Sequence, residues 1–174
     1  MPKSSRKQID DDEKKVLRQL QRNSKESIDK IAKKCGFSRQ KVWRIVKRLE
    51  KNKTIWGYHA VVDNEKINMK SYVMLLKRTN EPLGGAIDKI ISESIAEIGR
   101  QVEVNVQVNS YLHGIYDWMF CFTAEDIRHA KKFGEILTQN FSKYINEIHI
   151  LEEIFPIKKC ESLNPNIDKL KEYF

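Results

Sequence analysis

The side chains best suited to chemistry in this chain cluster between residues 38 and 51. Ser38, Arg39, Gln40, Lys41, Trp43, Arg44, Lys47, Arg48 and Lys51 are interleaved with Val42, Ile45, Val46 and Leu49. The apolar four fall at i, i+3, i+4 and i+7, the repeat of one face of an α-helix, so the basic and amide side chains share the opposite face. Arg44 has the paired donors that match guanine, and Gln40 the donor and acceptor that match adenine. Lys47, Arg48 and Lys51 suit phosphates along the flank. Trp43 fits either a sugar–phosphate backbone or cover for a neighbouring helix. Ser38, just before the helix, suits an N-cap.

Other chemistry is thin. His59, His113, His129 and His149 are scattered without ligand spacing, and no Gly-rich phosphate loop or nucleophile elbow occurs. Cys35, Cys121 and Cys160 are an odd set without a CxxC, which reads as reduced thiols rather than a disulfide framework. The expectation is therefore a binding protein with no catalytic residues, no cofactor and no metal. No N-terminal apolar region and no long apolar run is present, so a cytoplasmic protein without a membrane partner is expected.

Three short helices would position the basic face. Asp10–Glu13 places acids at a helix start, followed by Val16, Leu17 and Leu20 on one side. Ser27 is a cap for a second helix with Ile28, Ile31, Ala32 and Cys35, and Gly36 supplies its stop. The Gly36-Phe37-Ser38 turn then leads into the third helix, making a helix-turn-helix. Thr54–Val62 is aromatic and β-branched and reads as a wing, either a short extended pair or one strand bent at Gly57. Charge supports a polyanion partner. Residues 1–70 hold 20 Lys and Arg against 9 Asp and Glu, while residues 71–174 hold 12 against 15.

After a linker at 63–70 the periods alternate between 2 and 3.6. Tyr72–Leu76 is an apolar strand, and Ile87, Ile90, Ile91, Ile95 and Ile98 form a helical stripe. Val102, Val104, Val106 and Val108 alternate with polar residues, and His113-Gly114 turns into a strand through Phe122. Thr123 with Asp126 opens a helix bearing Ile127, Ala130, Phe133, Leu137 and Phe141, and a last strand runs from Ile145 to Phe155. The order β-α-β-β-α-β is the split ferredoxin-like unit, whose open sheet face calls for a partner, here a second copy of the chain. The fold class is α+β. Asp117 is a charge in an apolar strand and needs a partner, which is either a ligand ammonium or the hairpin's own backbone N–H groups.

Ile31 through Ser38, with Val42, Val46-Lys47-Arg48-Leu49, Ile55 and Gly57-Tyr58, resembles the Lrp/AsnC (leucine-responsive, feast–famine) transcription regulators of bacteria and archaea. The second half is similar to that family's effector-binding RAM domain, with Gly114, Tyr116 and Asp117 matching its Gly-x-Tyr-Asp hairpin. The resemblance covers residues 9–157. It implies double-stranded DNA as partner, a homodimer or larger even-numbered assembly, and an amino-acid effector at Gly114, Tyr116 and Asp117. It departs at Ile45, where the family commonly has Arg, and at Lys53, where it commonly has Gly, so that Asn52 or a different turn must end the helix. Sirohaem decarboxylases resemble the same architecture without a DNA role, with His113 as the residue to watch. The domains expected are a winged helix-turn-helix at 1–62, the linker at 63–70, a RAM-type domain at 71–157, and an extension at 158–174. That extension would carry a short helix opened by Asn164-Pro165, docked on its own domain or at an oligomer interface.

Overall fold

The computed structural model describes residues 6–85, 87–88 and 95–174. The chain divides into two compact units. One comprises residues up to Val61 together with Pro156–Phe174, and the other Val62–Phe155.

The first unit is built on α1 (Arg6–Arg22), α2 (Ile28–Cys35) and α3 (Arg39–Lys51). Its core is Val16, Ile31, Ala32, Val42, Ile45 and Leu49, with Leu17, Leu20, Phe37, Val46 and Ile55 packed against it. Ile45 thus serves as a core residue. Ser27 and Ser38 both act as N-caps, accepting from the N–H groups of Lys30 and Lys41. Gly36 sits at φ +69°, the left-handed conformation that glycine adopts cheaply, and lets α2 turn directly into α3.

Two expectations fail here. The acids at 10–13 lie well inside α1, which is under way by Arg6, and Asp12 is buried rather than presented at a helix terminus. The wing forms no strand: residues 56–62 have no regular secondary structure, and Trp56 is 95% exposed. A short β-branched run without a partner strand leaves its backbone groups unpaired, so composition alone does not make a strand. Lys53 itself takes the left-handed conformation, φ +59°, following Asn52 as C-cap. The tail forms a small hairpin, β5 (Lys158–Lys159) and β6 (Ser162–Leu163), then a 3₁₀ helix at Ile167–Tyr173. The N-cap position of that helix is Asn166, whose N–H donates to Asn164 Oδ1 at 2.8 Å, while the Asn164 amide donates to the Pro156 carbonyl. Within this unit Cys160 Sγ lies 3.5 Å from His59 Nε2.

The second unit carries β1 (Lys70–Arg78), α4 (Ile95–Arg100), β2 (Asn105–Tyr111), β3 (Trp118–Ala124), α5 (Ile127–Asn140) and β4 (Ile145–Glu152). The strands form one sheet in the order β2-β3-β1-β4, antiparallel throughout. In the segment before β1 a 3₁₀ turn, Asn64–Ile67, buries Asn64, whose amide donates to Ser71 Oγ. Ile90 and Ile91 of the expected helical stripe lie outside the described residues. The core gathers Tyr72, Met74 and Leu76 of β1, Phe120 and Phe122 of β3, and Ala130, Phe133 and Leu137 of α5. Phe133 packs edge-to-face on both Phe120 and Phe122. α4 passes so near β2 that a Cβ on Gly99 would lie 2.9 Å from the Val104 carbonyl oxygen.

Three local expectations change. The helix cap is Asp126, not Thr123, which is buried in β3. β4 stops at Glu152. Val102 and Val104 are buried ahead of β2, and a bulge between Val106 and Val108 breaks the expected alternation. One extra residue reverses the facing of everything beyond it. Val108, opposite Cys121, therefore joins the face away from the helices with Val73, Leu75, Met119 and Leu151.

Candidate nucleic-acid interface

α3 presents two different basic populations. Lys41 and Arg48 are tied back to α1. Lys41 Nζ is 2.7 Å from Asp12 and 4.0 Å from the centroid of the Phe37 ring, and Arg48 Nε is 2.6 Å from Glu13. The Lys41 ammonium holds the buried Asp12 carboxyl below its ordinary range, against the opposing effect of its burial. Arg39 pairs more loosely with Asp29 at 3.5 Å, and Lys47 with Glu50 at 2.9 Å on its own helix. Glu50 also accepts from the Tyr58 hydroxyl, which tethers the segment after α3 to that helix.

The remaining face is open. Gln40, Trp43, Arg44 and Lys51 are all exposed, and the Arg44 side chain runs back along the helix with Nε 3.4 Å from the Gln40 carbonyl oxygen. Trp43 is half exposed, apart from the residues packed on the core. A rigid helix carrying an amide, an indole and a guanidinium on one outward face, seated by Val42, Ile45 and Leu49, is suited to entering a groove. Ser38 spends its hydroxyl on the helix N-terminus. The acids of α1 that occupy Lys41 and Arg48 come from twenty or more residues away in sequence, beyond the reach of helical periodicity.

The second set of candidates lies at the β2–β3 hairpin. Asp117 Oδ2 accepts from the Arg78 N–H at 2.8 Å, and the Asp117 N–H donates to the Leu76 carbonyl at 2.9 Å. The carboxylate therefore fastens the start of β3 to the end of β1. Tyr116 packs edge-to-face on His149, ring centroids 5.5 Å apart. Gly114 is exposed, and a Cβ there would meet nothing within 4 Å. His113 is exposed as well.

Residues 9–55 match a winged helix-turn-helix DNA-binding family model. The chain is 37% identical over 75 residues to the leucine-responsive regulatory protein of Haemophilus influenzae, covering 43% of this chain and 45% of that one. It is 30% identical over 98 residues to an uncharacterized HTH-type transcriptional regulator of Pyrococcus furiosus, covering 56% and 65%. The chain thus spans about half to two thirds of the length of these curated relatives. Among solved structures, an AsnC family transcriptional regulator from Agrobacterium tumefaciens superposes with a TM-score of 0.64 at 21% identity, over 88% of this chain and 95% of that one. Helix-turn-helix and sheet unit together share the fold of that AsnC family regulator. A transcriptional regulator from Neisseria meningitidis solved in complex with L-Met superposes with a TM-score of 0.61 at 19% identity, over 89% of this chain and 96% of that one. At these identities the structural likeness is one of fold. No helix among the described residues is long and apolar enough to cross a membrane.

Proposed function

We propose that this Lrp/AsnC-type chain is a transcription regulator that reads double-stranded DNA with α3, assembles through its sheet unit, and answers to a small-molecule effector. The observation that carries the reading is the open face of Gln40, Trp43 and Arg44, exposed on a helix whose other side is buried. Gln40 and Arg44 read base edges. Arg39, Trp43, Lys47 and Lys51 position the helix on the backbone, while Lys41 and Arg48 act mainly by fixing α3 to α1.

Assembly is supported by Val73, Leu75, Met119, Val108 and Leu151 on the sheet face away from the helices, an apolar surface suited to a second copy. A two-fold dimer places its two reading helices on half-sites about 34–36 Å apart or a multiple of that. The effector we assign is an amino acid at the Gly114–Asp117 hairpin. The Neisseria regulator's L-Met supports the ligand class. Gly114 supports the place, because nothing within the chain requires glycine there and a close approach from outside would.

The deciding experiment is selection of bound genomic fragments followed by fluorescence anisotropy on the selected site. A Gln40→Ala/Arg44→Ala variant is expected to lose about 10- to 100-fold in affinity for the selected site and most of its preference over random DNA. With about four phosphates engaged per half-site, log affinity against log salt has a slope of about −7 for the dimer. Unchanged specific binding by the double variant would remove α3 as the reader.

A further inference from the structure

Away from both regions above, three side chains from separate segments of the sheet unit converge. Glu103 follows α4, Glu125 precedes α5, and His129 lies in the first turn of α5. Each offers one ligand atom, and the three atoms lie within 4.8 Å of one another. His129 Nε2 is 3.3 Å from Glu103 Oε2, and on the ring's other side Nδ1 is 2.9 Å from Asp126 Oδ1. The Asp126 contact decides what the Nε2 edge can do. Arg128 pairs with the same Asp126 carboxylate, which is thereby fixed against the Nδ1 edge of the ring. An anion at Nδ1 keeps the ring proton there and leaves the Nε2 lone pair turned toward Glu103 and Glu125.

An imidazole lone pair beside two carboxylates is a set of three electron-pair donors, and a cation placed among them would be held by all three. We propose that Glu103, Glu125 and His129 bind a first-row divalent transition cation of the Zn²⁺ or Co²⁺ type, with Asp126 orienting the histidine. Ligands about 2.0–2.1 Å from a tetrahedral ion stand about 3.4 Å apart, and the His129–Glu103 pair is already at 3.3 Å. Glu125 closes the remaining distance by rotation of an exposed side chain. One imidazole nitrogen among carboxylates favours such ions over Mg²⁺ and Ca²⁺, which select oxygen alone. The bound ion would join the segment after α4 to the first turn of α5. The sequence hint is Glu125 and His129 at i, i+4; Glu103 arrives through the fold.

The test uses the full chain near neutral pH, with Co²⁺ followed by visible absorption, Zn²⁺ by calorimetry, and Mg²⁺ as the control ion. One equivalent of Co²⁺ or Zn²⁺ is expected to bind, with no comparable uptake of Mg²⁺. Glu103→Gln and His129→Ala should each weaken binding at least about tenfold. Glu103 occupies a left-handed backbone, φ +58°, that glycine adopts at less cost. Glu103→Gly should therefore raise the melting temperature of the metal-free protein while abolishing the further rise on adding Zn²⁺. That pairing separates a ligand from a merely structural residue, and it stands even if His129→Ala fails to fold. No uptake at about 0.1 mM metal, or uptake unaltered by both Glu103 variants, would overturn the assignment. In the second case the ion sits elsewhere, the Cys160–His59 contact being the obvious place.

Discussion

In the helical unit every open side chain of the candidate interface comes from one element, α3, and its supporting core is small: Val16, Ile31, Ala32, Val42, Ile45 and Leu49. In the sheet unit the candidate side chains share one hairpin but are held by different strands. Asp117 reaches the backbone of Arg78 on β1, and Tyr116 reaches His149 on β4, above a core with several aromatic rings. A helix displays its functional face by local periodicity and needs little else to do so. A sheet displays a site only after register, bulges and hairpins have been set. The helical unit accordingly depends on a few ionic ties to fix one helix. The sheet unit depends on packing.

The largest effect expected from that contrast is Phe133→Ala. Phe133 is fully buried between Phe120 and Phe122, and its removal should cost about 3–5 kcal/mol of unfolding free energy in a denaturant titration. A loss below about 1 kcal/mol would show that the aromatic cluster is not what holds the sheet unit.

Next comes Lys41→Ala, which leaves Asp12 buried without its cation. The cost should lie between the ~1 kcal/mol of an exposed pair and the ~3–5 kcal/mol of a broken buried one, because Lys41 itself is partly exposed. Anisotropy on folded protein should show a smaller loss of DNA affinity than for Arg44→Ala. The reverse ranking would return Lys41 to the reading face.

The same pair sets a pH dependence. The folded pKa of Asp12 lies below its unfolded value near 3.8. Its contribution is therefore fully present above that value and is lost as pH falls through the lower, folded one. Melting curves from neutral pH down to about pH 2.5 should show wild type losing stability below about pH 4 more steeply than Asp12→Asn. Parallel curves would assign acid sensitivity to other groups, such as Asp126, whose carboxyl is also held low.

The smallest expected effect is a gain. Lys53 takes φ +59° at the end of α3. Lys53→Gly should stabilise the chain by about 0.5–1 kcal/mol, the relief of left-handed strain less the greater freedom of glycine in the unfolded chain. A loss in thermal denaturation would mean that the lysine side chain has an attractive role there.

What the amino-acid sequence determined by itself is whatever depends on neighbours a turn away. The inward stripe of Val42, Ile45 and Leu49, the caps at Ser27 and Ser38, and the left-handed Gly36 follow from helix geometry and backbone sterics. So does the open face bearing Gln40 and Arg44. The order of strands and helices in the sheet unit was likewise legible, because alternation and helical period differ. Tertiary structure decided everything that needed a distant partner. It placed Asp12 and Glu13 against Lys41 and Arg48, so two of the basic residues serve the fold. It withheld a partner strand from residues 56–62. A single bulge turned Val108 to the other face of the sheet. It gave Asp117 a partner outside its own hairpin, a backbone N–H of β1, and it drew Glu103 to His129. The reason is physical: charge pairing and strand register are energies between groups brought together only by folding, and periodicity along the chain carries no record of them.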